Sequence, residues 1–188
     1  MSKYSYLNLI KRHAKARARA HGVKLSAAQE QLAAESGFAD FHELTTVAAR
    51  NPDDPRLMKR AIGKSNLGDL VEEESVYQAL ESEVEDTLSG AIAETNAYAF
   101  TIEDLEVIEA VYDASTGTAL LTVAFSYAGE QDPDKVYHGS TFYVDANVRL
   151  QRRDGTWALL DEDGLEIFGC ERDVDRDYWA EQEGARLD

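Results

Sequence analysis

The chain has 188 residues, of which 44% are hydrophobic, and this is enough for one medium-sized domain or two small ones. Nine Tyr, six Phe and two Trp exclude a disordered chain, because disordered chains lack the large apolar side chains that form a core. The formal net charge is −17, and the absence of any apolar run of about eighteen residues excludes a membrane-spanning helix.

The charge is divided unequally along the chain. Residues 1–60 contain eleven Lys and Arg against six Asp and Glu, whereas the remainder contains eight against thirty. Residues 1–24 contain no acid at all. This asymmetry indicates that the two parts have separate electrostatic roles, or that they attract each other.

Two helices are predicted at the start of the chain. Residues 4–21 form a basic amphipathic pattern that ends at Gly22, a residue that commonly terminates helices. The next pattern, 25–36, places Ser26 as N-cap and Gln29 three residues later, so that each side chain can satisfy a backbone amide of the other.

A third helix and a boundary follow. Asp40 and Glu43 repeat the capping pattern before apolar residues at helical spacing, which completes a basic, helix-turn-helix-like module over residues 1–50. Prolines beside turn-forming residues, then a short helix and a Gly/Ser/Asn break, indicate a linker at 51–68.

Residues 69–188 are predicted to form an acidic domain with a charged C-terminal tail. A long helix is expected over 69–93, and beyond it the apolar period changes from helical to two. Turn signals at Ser115–Gly117 and Asp154–Gly155 separate strands. Four antiparallel strands are expected at 103–113, 118–128, 138–153 and 156–168. The predicted fold class is therefore α+β, with a three-helix N-terminal module followed by a long helix packed on a four-stranded antiparallel meander.

The first fifty residues resemble a known module. The resemblance is carried by the basic helix from Leu7, the segment Gly22-Val-Lys-Leu-Ser26, the helix containing Gln29 to Leu32, and Gly37-Phe-Ala-Asp-Phe-His-Glu-Leu44. These motifs are similar to the small helical module at the start of glyoxalase-related and plasmid-borne bacterial proteins. The resemblance implies a bacterial or mobile-element setting and supplies no catalytic residues. The glyoxalase His/Glu metal-ligand pattern is not apparent after residue 60, so that activity is not carried over.

Seven cations near the N-terminus are candidates for binding nucleic-acid phosphates. They are Lys3, Lys11, Arg12, Lys15, Arg17, Arg19 and Lys24. The predicted helix after Gly37 offers acids and threonines rather than Arg, Lys, Asn or Gln, so we do not expect it to read base edges. The alternative for the seven cations is a solvated face that sits against the chain's own acidic domain.

The acidic domain supplies a second set of candidates, for contacts with a basic partner. They are Glu72, Glu73, Glu74, Glu81, Glu85, Asp86, Asp132 and Asp134. An acidic face can occupy the basic groove of a nucleic-acid-handling protein by mimicking phosphates, and so block it. The alternative is an acidic surface that serves solubility alone.

A third set lies on the predicted sheet. Tyr127, Tyr143, Asp145 and Arg149 could line a cleft on its wet side, as in a small enzyme or ligand-binding domain. The four histidines lie far apart in sequence, and Cys170 is expected to be an inert thiol. We assign no catalytic residue, and we expect no metal and no cofactor.

These observations lead to one functional prediction and two alternatives. We predict a non-enzymatic, cytoplasmic interaction protein of bacteria or mobile elements, whose acidic domain binds, and could inhibit, a basic protein or nucleoprotein that handles nucleic acid. The first alternative is a regulator that binds DNA through residues 1–24. The second is a small enzyme or ligand-binding domain with its site on the sheet. No membrane partner is expected.

Overall fold

The computed structural model describes residues 2–153 and 156–176, and it is an α+β protein, as predicted. Its contacts divide the chain into two units. Unit 1 comprises Met1–Leu70 and Tyr112–Thr118, and unit 2 comprises Val71–Val111 and Ala119–Asp188. Among the described residues, no helix is both long enough and apolar enough to cross a membrane.

Unit 1 contains the four helices α1 (Tyr6–His21), α2 (Leu25–Glu35), α3 (Phe41–Arg50) and α4 (Pro55–Ile62). Helix α1 contacts each of the other three. It buries one apolar face, formed by Tyr6, Leu7, Leu9, Ile10 and Ala14. The segment 51–68, assigned to a linker above, contains α4, whose Leu57, Ala61 and Ile62 are buried.

The two predicted helix caps have different outcomes. The Asp40 cap of α3 is confirmed, since its Oδ1 accepts the amide of Glu43 at 2.7 Å. The Ser26 cap is wrong. Helix α2 begins at Leu25 with Lys24 as N-cap, so Ser26 lies inside the first turn. Ser26 and Gln29 therefore do not form the predicted reciprocal cap at the start of α2.

A short segment of the sheet region also belongs to unit 1. The ring of Tyr112 stacks on Tyr6 with centroids 5.0 Å apart, and its hydroxyl donates to the Tyr4 carbonyl at 2.9 Å. The predicted turn at Ser115–Gly117 is confirmed, because the Gly117 amide donates to the Asp113 carbonyl at 2.8 Å.

Unit 2 is built on an antiparallel sheet. Its strands are β1 (Ala97–Asp113), β2 (Thr118–Gln131), β3 (Thr141–Arg153), β4 (Thr156–Leu159) and β5 (Leu165–Arg172), and the ends of β1 and β2 extend into unit 1. The strand order is β1-β2-β3-β4, and β5 also pairs with β3.

The single strand predicted at 156–168 is two strands. Both β4 and β5 pair with β3. Strand β4 pairs with residues 150–153 of β3, and β5 pairs with residues 142–148. In the segment between β4 and β5, the Leu160 amide donates to the Arg149 carbonyl, and the Arg149 amide donates to the Gly164 carbonyl. Residues 161–163 therefore leave the sheet, and the chain returns to it at Gly164. The predicted turn residues Asp154 and Gly155, and the tail from residue 177 with Tyr178 and Trp179, lie outside the described residues.

The long helix is shorter than predicted. A 3₁₀ helix occupies Gly68–Glu72, and α5 spans Glu74–Ala93. Helix α5 buries Val76, Leu80, Val84 and Leu88 and contacts β4 and β5. The hydroxyl of Tyr77 donates to the Ile102 carbonyl of β1 at 2.9 Å.

Alternation along β2 and β3 separates a buried face from an outer face. The buried face carries Leu121, Val123, Phe125 and Tyr127 from β2 and Phe142, Val144, Ala146, Val148 and Leu150 from β3. The Phe100 ring of β1 lies against the rings of Tyr127 and Phe142, at centroid distances of 5.4 and 5.8 Å. The intervening residues of β3, including Tyr143 and Asp145, therefore lie on the outer face.

Candidate functional site

The outer face of the unit 2 sheet contains a hollow with a volume of about 590 Å³, called the acidic concavity below. Its lining comes from β1, β2, β3, β5 and the helical turn at 173–176. The ionisable and polar lining residues are Asp104, Glu106, Ser126, Tyr143, Asp145, Cys170, Glu171 and Arg176. Among the lining residues that the structure describes, four carboxylates face one guanidinium, so the hollow attracts cations.

Strand pairing sets the positions of these groups on β3 and β5. Tyr143 is paired with Glu171, and Asp145 with Gly169. A Cβ atom on Gly169 would lie 2.9 Å from the Asp145 carboxylate, so this position needs glycine for the carboxylate to lie against the strand. The register shift between Asp145 and Ala146 falls beside the same pair, at a bulge that re-aims side chains.

On β1 the lining residues are Asp104 and Glu106. Both are exposed, and Asp104 has a φ of +52°, in the left-handed region that Asp and Asn tolerate better than most side chains. The strand is therefore irregular where its carboxylates line the hollow. Because β1 lies at the end of the strand order, this irregularity also protects an open sheet edge.

Arg176 is the one cation among the described residues that line the acidic concavity. Its guanidinium lies over the Tyr143 ring, 4.1 Å from the centroid, and its Nε is 4.0 Å from a Glu171 oxygen. Tyr143 is 37% exposed, so one ring face is covered by a cation while the residue stays accessible. The concavity already holds a guanidinium, through an aromatic face and a carboxylate.

Cys170 is the thiol among the described lining residues. Burial raises the pKa of the Cys170 thiol, and nearby Arg172 only partly offsets this. A thiol with a raised pKa is protonated near neutral pH and reacts slowly.

The structure does not assemble the predicted ligand cleft of Tyr127, Tyr143, Asp145 and Arg149. Tyr127 is 1% exposed and lies on the buried face. Arg149 donates to a Glu166 oxygen at 2.8 Å and to the Asp163 carbonyl at 3.0 Å, and it lines a different hollow. Of the four residues, Tyr143 and Asp145 line the acidic concavity. Alternation places Tyr127 on the opposite face, whereas Arg149 is on the outer face but lies further along β3, beside the other hollow.

The predicted acidic residues lie at α5 and in the β2–β3 loop. Glu72 ends the 3₁₀ helix, Glu73 is the N-cap of α5, and Glu74, Glu81, Glu85 and Asp86 lie along α5. Burial, then Glu85 and Glu81, raises the pKa of Tyr127 to about 12. Glu81 and Glu85 of α5 therefore lie close enough to Tyr127 of β2 to disfavour its ionised form.

The two loop acids differ in their contacts. Asp132 is 3.2 Å from the Lys135 ammonium and accepts the Asp134 amide at 3.0 Å, and these contacts lower its pKa. Asp134 is exposed. Asp132 is thus a turn-forming residue, whereas the side chain of Asp134 is open to solvent.

Unit 2 has few cations, and four of those in its described part form ion pairs. The unit contains seven Lys and Arg against twenty-eight Asp and Glu. Ion pairs within the unit join Lys135 to Asp132, Arg149 to Glu166, Arg172 to Asp175 and Glu94, and Arg176 to Glu171. Most carboxylates of the unit therefore have no cation available to neutralise them.

The seven N-terminal cations fall into two groups. Arg17 forms an ion pair with Glu35 at 2.7 Å, which lowers the pKa of that carboxylate. The Lys3 ammonium lies 5.2 Å from the centre of the Tyr4 ring. The others, Lys11, Arg12, Lys15, Arg19 and Lys24, are exposed.

Sequence reasoning missed Asp104, Glu106, Glu171 and Arg176. The outward carboxylates of β1 were visible as alternation, but the positive φ of Asp104 was not. The pairing of β5 with β3 brings Glu171 and Arg176 to the hollow, and no local signal indicates it. No protein-family model, no curated protein and no solved structure matches the chain.

Proposed function

We propose that unit 2 binds a basic partner protein through the acidic concavity, and that it competes there with nucleic acid. The observation that carries this proposal is the charge imbalance of the concavity, which has four carboxylates and one cation already engaged with Glu171. A basic surface would supply the missing counter-charges and would be steered to the site by long-range attraction.

The concavity also offers the apolar contacts that stabilise a protein interface. Tyr143 stands within it, and Phe168, 59% exposed, precedes the lining residue Gly169 in β5. Exposed aromatic side chains surrounded by polar groups are typical of interface centres. Carboxylates alone would give attraction with little specificity, whereas the aromatic groups add a contact that depends on shape.

The existing contact with Arg176 favours an arginine-rich partner over a lysine-rich one. A guanidinium can stack flat on the Tyr143 ring while donating to neighbouring carboxylates, as Arg176 does with Glu171. A lysine ammonium is a compact, strongly hydrated charge that lacks the planar face. The bound side chain of a partner would therefore take the place of Arg176.

Proteins that handle nucleic acid carry basic grooves that hold phosphates, and clustered carboxylates can occupy such a groove. Binding of unit 2 would then inhibit the partner by excluding its nucleic acid. The proposed setting is bacterial or mobile-element, as the resemblance of the first fifty residues implies.

A displacement assay tests the proposal. A fluorescein-labelled DNA duplex is bound by an arginine-rich peptide, and the full-length protein is added. Release of duplex from the peptide, followed by fluorescence anisotropy and corrected by a titration of the same duplex with the protein alone, is expected. The triple variant Asp104→Asn/Glu106→Gln/Asp145→Asn should release DNA about tenfold less efficiently.

The control variant Glu72→Gln/Glu74→Gln/Asp86→Asn removes the same charge from exposed positions around the start and middle of α5. It should behave nearly as the unchanged protein does. Equal weakening by the two triple variants would show that only the total charge matters, and the proposal for the concavity would be lost.

A further inference from the structure

The exposed face of α1 carries a compact row of cations in unit 1. Lys11, Lys15 and Arg19 recur at intervals of four residues, with Arg12 beside them. At about 100° per residue these four positions fall within an arc of about 100°. All four are exposed, and the apolar residues of α1 lie on the opposite side of the helix.

The neighbouring acids of unit 1 are engaged elsewhere. Glu35 pairs with Arg17 and lies 3.7 Å from Arg60, and Asp54 pairs with Arg56. The other three acids accept backbone amides near the start of α3: Glu30 accepts that of Phe41, and Asp40 and Glu43 accept those of neighbouring residues. These are five of the six acids in residues 1–60. Among the described residues no ion pair involves the four cations of the row.

From this face we propose a second binding site: the row of Lys11, Arg12, Lys15 and Arg19 binds the phosphate backbone of duplex DNA without reading its sequence. It goes beyond the function proposed for unit 2, because it uses other residues and a ligand of opposite charge. Regularly spaced cations match a regularly spaced polyanion, and each phosphate neutralised releases counterions from the DNA.

The composition of the face selects among anionic ligands. Among the described residues of this face of α1, none carries an exposed aromatic ring on which an unpaired base could stack, which disfavours single strands. Tyr6, the aromatic residue of the helix, is buried against Tyr112. The amide of Asn8 donates to the Ser2 carbonyl and is engaged there. A membrane surface is disfavoured because the apolar residues of α1 are already buried and cannot enter a bilayer.

Arg17 and Arg19 give a matched pair of variants. They are the same residue type two positions apart, but Arg17 is turned toward Glu35 whereas Arg19 belongs to the row. Binding of the full-length protein to a labelled duplex of about 20 base pairs is measured by anisotropy over a salt series. Arg19→Gln is expected to weaken binding severalfold at about 50 mM salt, and Arg17→Gln to change it much less.

A double variant tests the number of contacts. Each phosphate contact contributes about −0.9 to the slope of log affinity against log salt concentration, so four contacts predict about −3.6. Lys11→Gln/Lys15→Gln should reduce that slope by about 1.8 and weaken binding by about tenfold or more at low salt. Arg50→Gln/Lys59→Gln, which removes the same charge from exposed sites on α3 and α4, is the control.

Four results would overturn the proposal. They are no duplex binding at about 50 mM salt, equal weakening by the two double variants, equal weakening by Arg17→Gln and Arg19→Gln, and binding of single strands or anionic vesicles in preference to duplex. Circular dichroism of each variant confirms that α1 is intact, and Gln is well tolerated in helices. The concavity variant Asp104→Asn/Glu106→Gln/Asp145→Asn should keep its DNA binding, so this proposal and that for unit 2 can fail separately.

Discussion

The guanidinium of Arg176 lies over the ring of Tyr143, 4.1 Å from its centre, and so covers the aromatic group of the acidic concavity. The same arginine approaches Glu171, the residue paired with Tyr143 across the sheet. A partner guanidinium that stacks on the same face of the Tyr143 ring would therefore have to displace Arg176. The contact acts as an internal competitor for the proposed ligand.

Removing this competitor should strengthen binding. Arg176→Ala is expected to raise the affinity for an arginine-rich peptide about two- to fivefold, the equivalent of one exposed cation–π contact. Isothermal titration calorimetry of the full-length protein measures the change. Lys135→Ala also removes one cation from unit 2, but it lies in the β2–β3 loop and should have a smaller effect. Unchanged or weaker binding by Arg176→Ala would argue against Tyr143 as a contact.

Asp173 should make the stability of unit 2 sensitive to acid. Burial alone would raise the pKa of this carboxyl group, but hydrogen bonds from the Tyr137 hydroxyl and from backbone amides, including that of Ser140, outweigh burial and lower it. A lowered pKa in the folded state gives stability that is present above the unfolded value, about 3.9, and is lost as pH falls through the folded value.

Asp173→Asn should therefore lower the free energy of unfolding by about 1 kcal/mol at pH 7 and flatten its decline in acid. Urea denaturation between about pH 2 and 7 measures both effects. Asp134→Asn, at an exposed position in the β2–β3 loop, is the control and should retain the acid dependence. If the free energy of unfolding of Asp173→Asn depended on pH as that of the unchanged protein does, the lowered pKa assigned to Asp173 would be contradicted.

Tyr127 should destabilise the fold at alkaline pH. Burial, with Glu85 and Glu81, raises its pKa to about 12, so the folded state holds this proton more tightly than the unfolded chain, which titrates near about 10. Stability is complete below about pH 10 and falls as pH rises toward 12. Tyr127→Phe should reduce that fall, whereas Tyr143→Phe, on the outer face, should leave it. Burial also raises the pKa of Tyr6 and of Tyr77, so part of the loss should remain in Tyr127→Phe. An alkaline loss as steep in Tyr127→Phe as in the unchanged protein would refute the role of Tyr127.

Gly117 should be intolerant of a side chain. Its φ is +80°, and a Cβ atom would lie 2.7 Å from the Tyr4 ring within unit 1. Gly117→Ala is expected to lower the free energy of unfolding by about 1–3 kcal/mol. Gly90→Ala, in α5 with no atom near the new methyl group, should instead stabilise by about 0.5–1 kcal/mol. Thermal unfolding followed by circular dichroism compares them, and equal effects would refute the steric argument.

Local signals in the sequence predicted local features of the fold. The Asp40 cap was predictable because its acceptor and donor are three residues apart, and alternation in β2 and β3 assigned Tyr143 and Asp145 to the outer face. The prediction of a Ser26 cap was wrong because Ser and Gln three residues apart can also lie inside a helix, as they do in α2.

Non-local pairing limited the rest. The polar run Asp161-Glu-Asp-Gly164 does mark the excursion between β4 and β5, but it does not indicate that both strands return to β3. That excursion places β5 along β3 and thereby brings Glu171 and Arg176 beside Tyr143. The cations of α1 were all visible in the sequence, but the ion pair that removes Arg17 from the exposed row depends on the packing of α1 against α2.

A basic partner is proposed to bind at the acidic concavity and not at the acidic surface at large. A titration of the isotopically labelled full-length protein with an arginine-rich peptide, followed by amide chemical shifts, distinguishes the two. Binding at the concavity is expected to concentrate the shifts at residues 104–106, 143–145 and 169–171. Shifts concentrated along α5 at residues 74–86, or spread evenly over the carboxylates of unit 2, would contradict it.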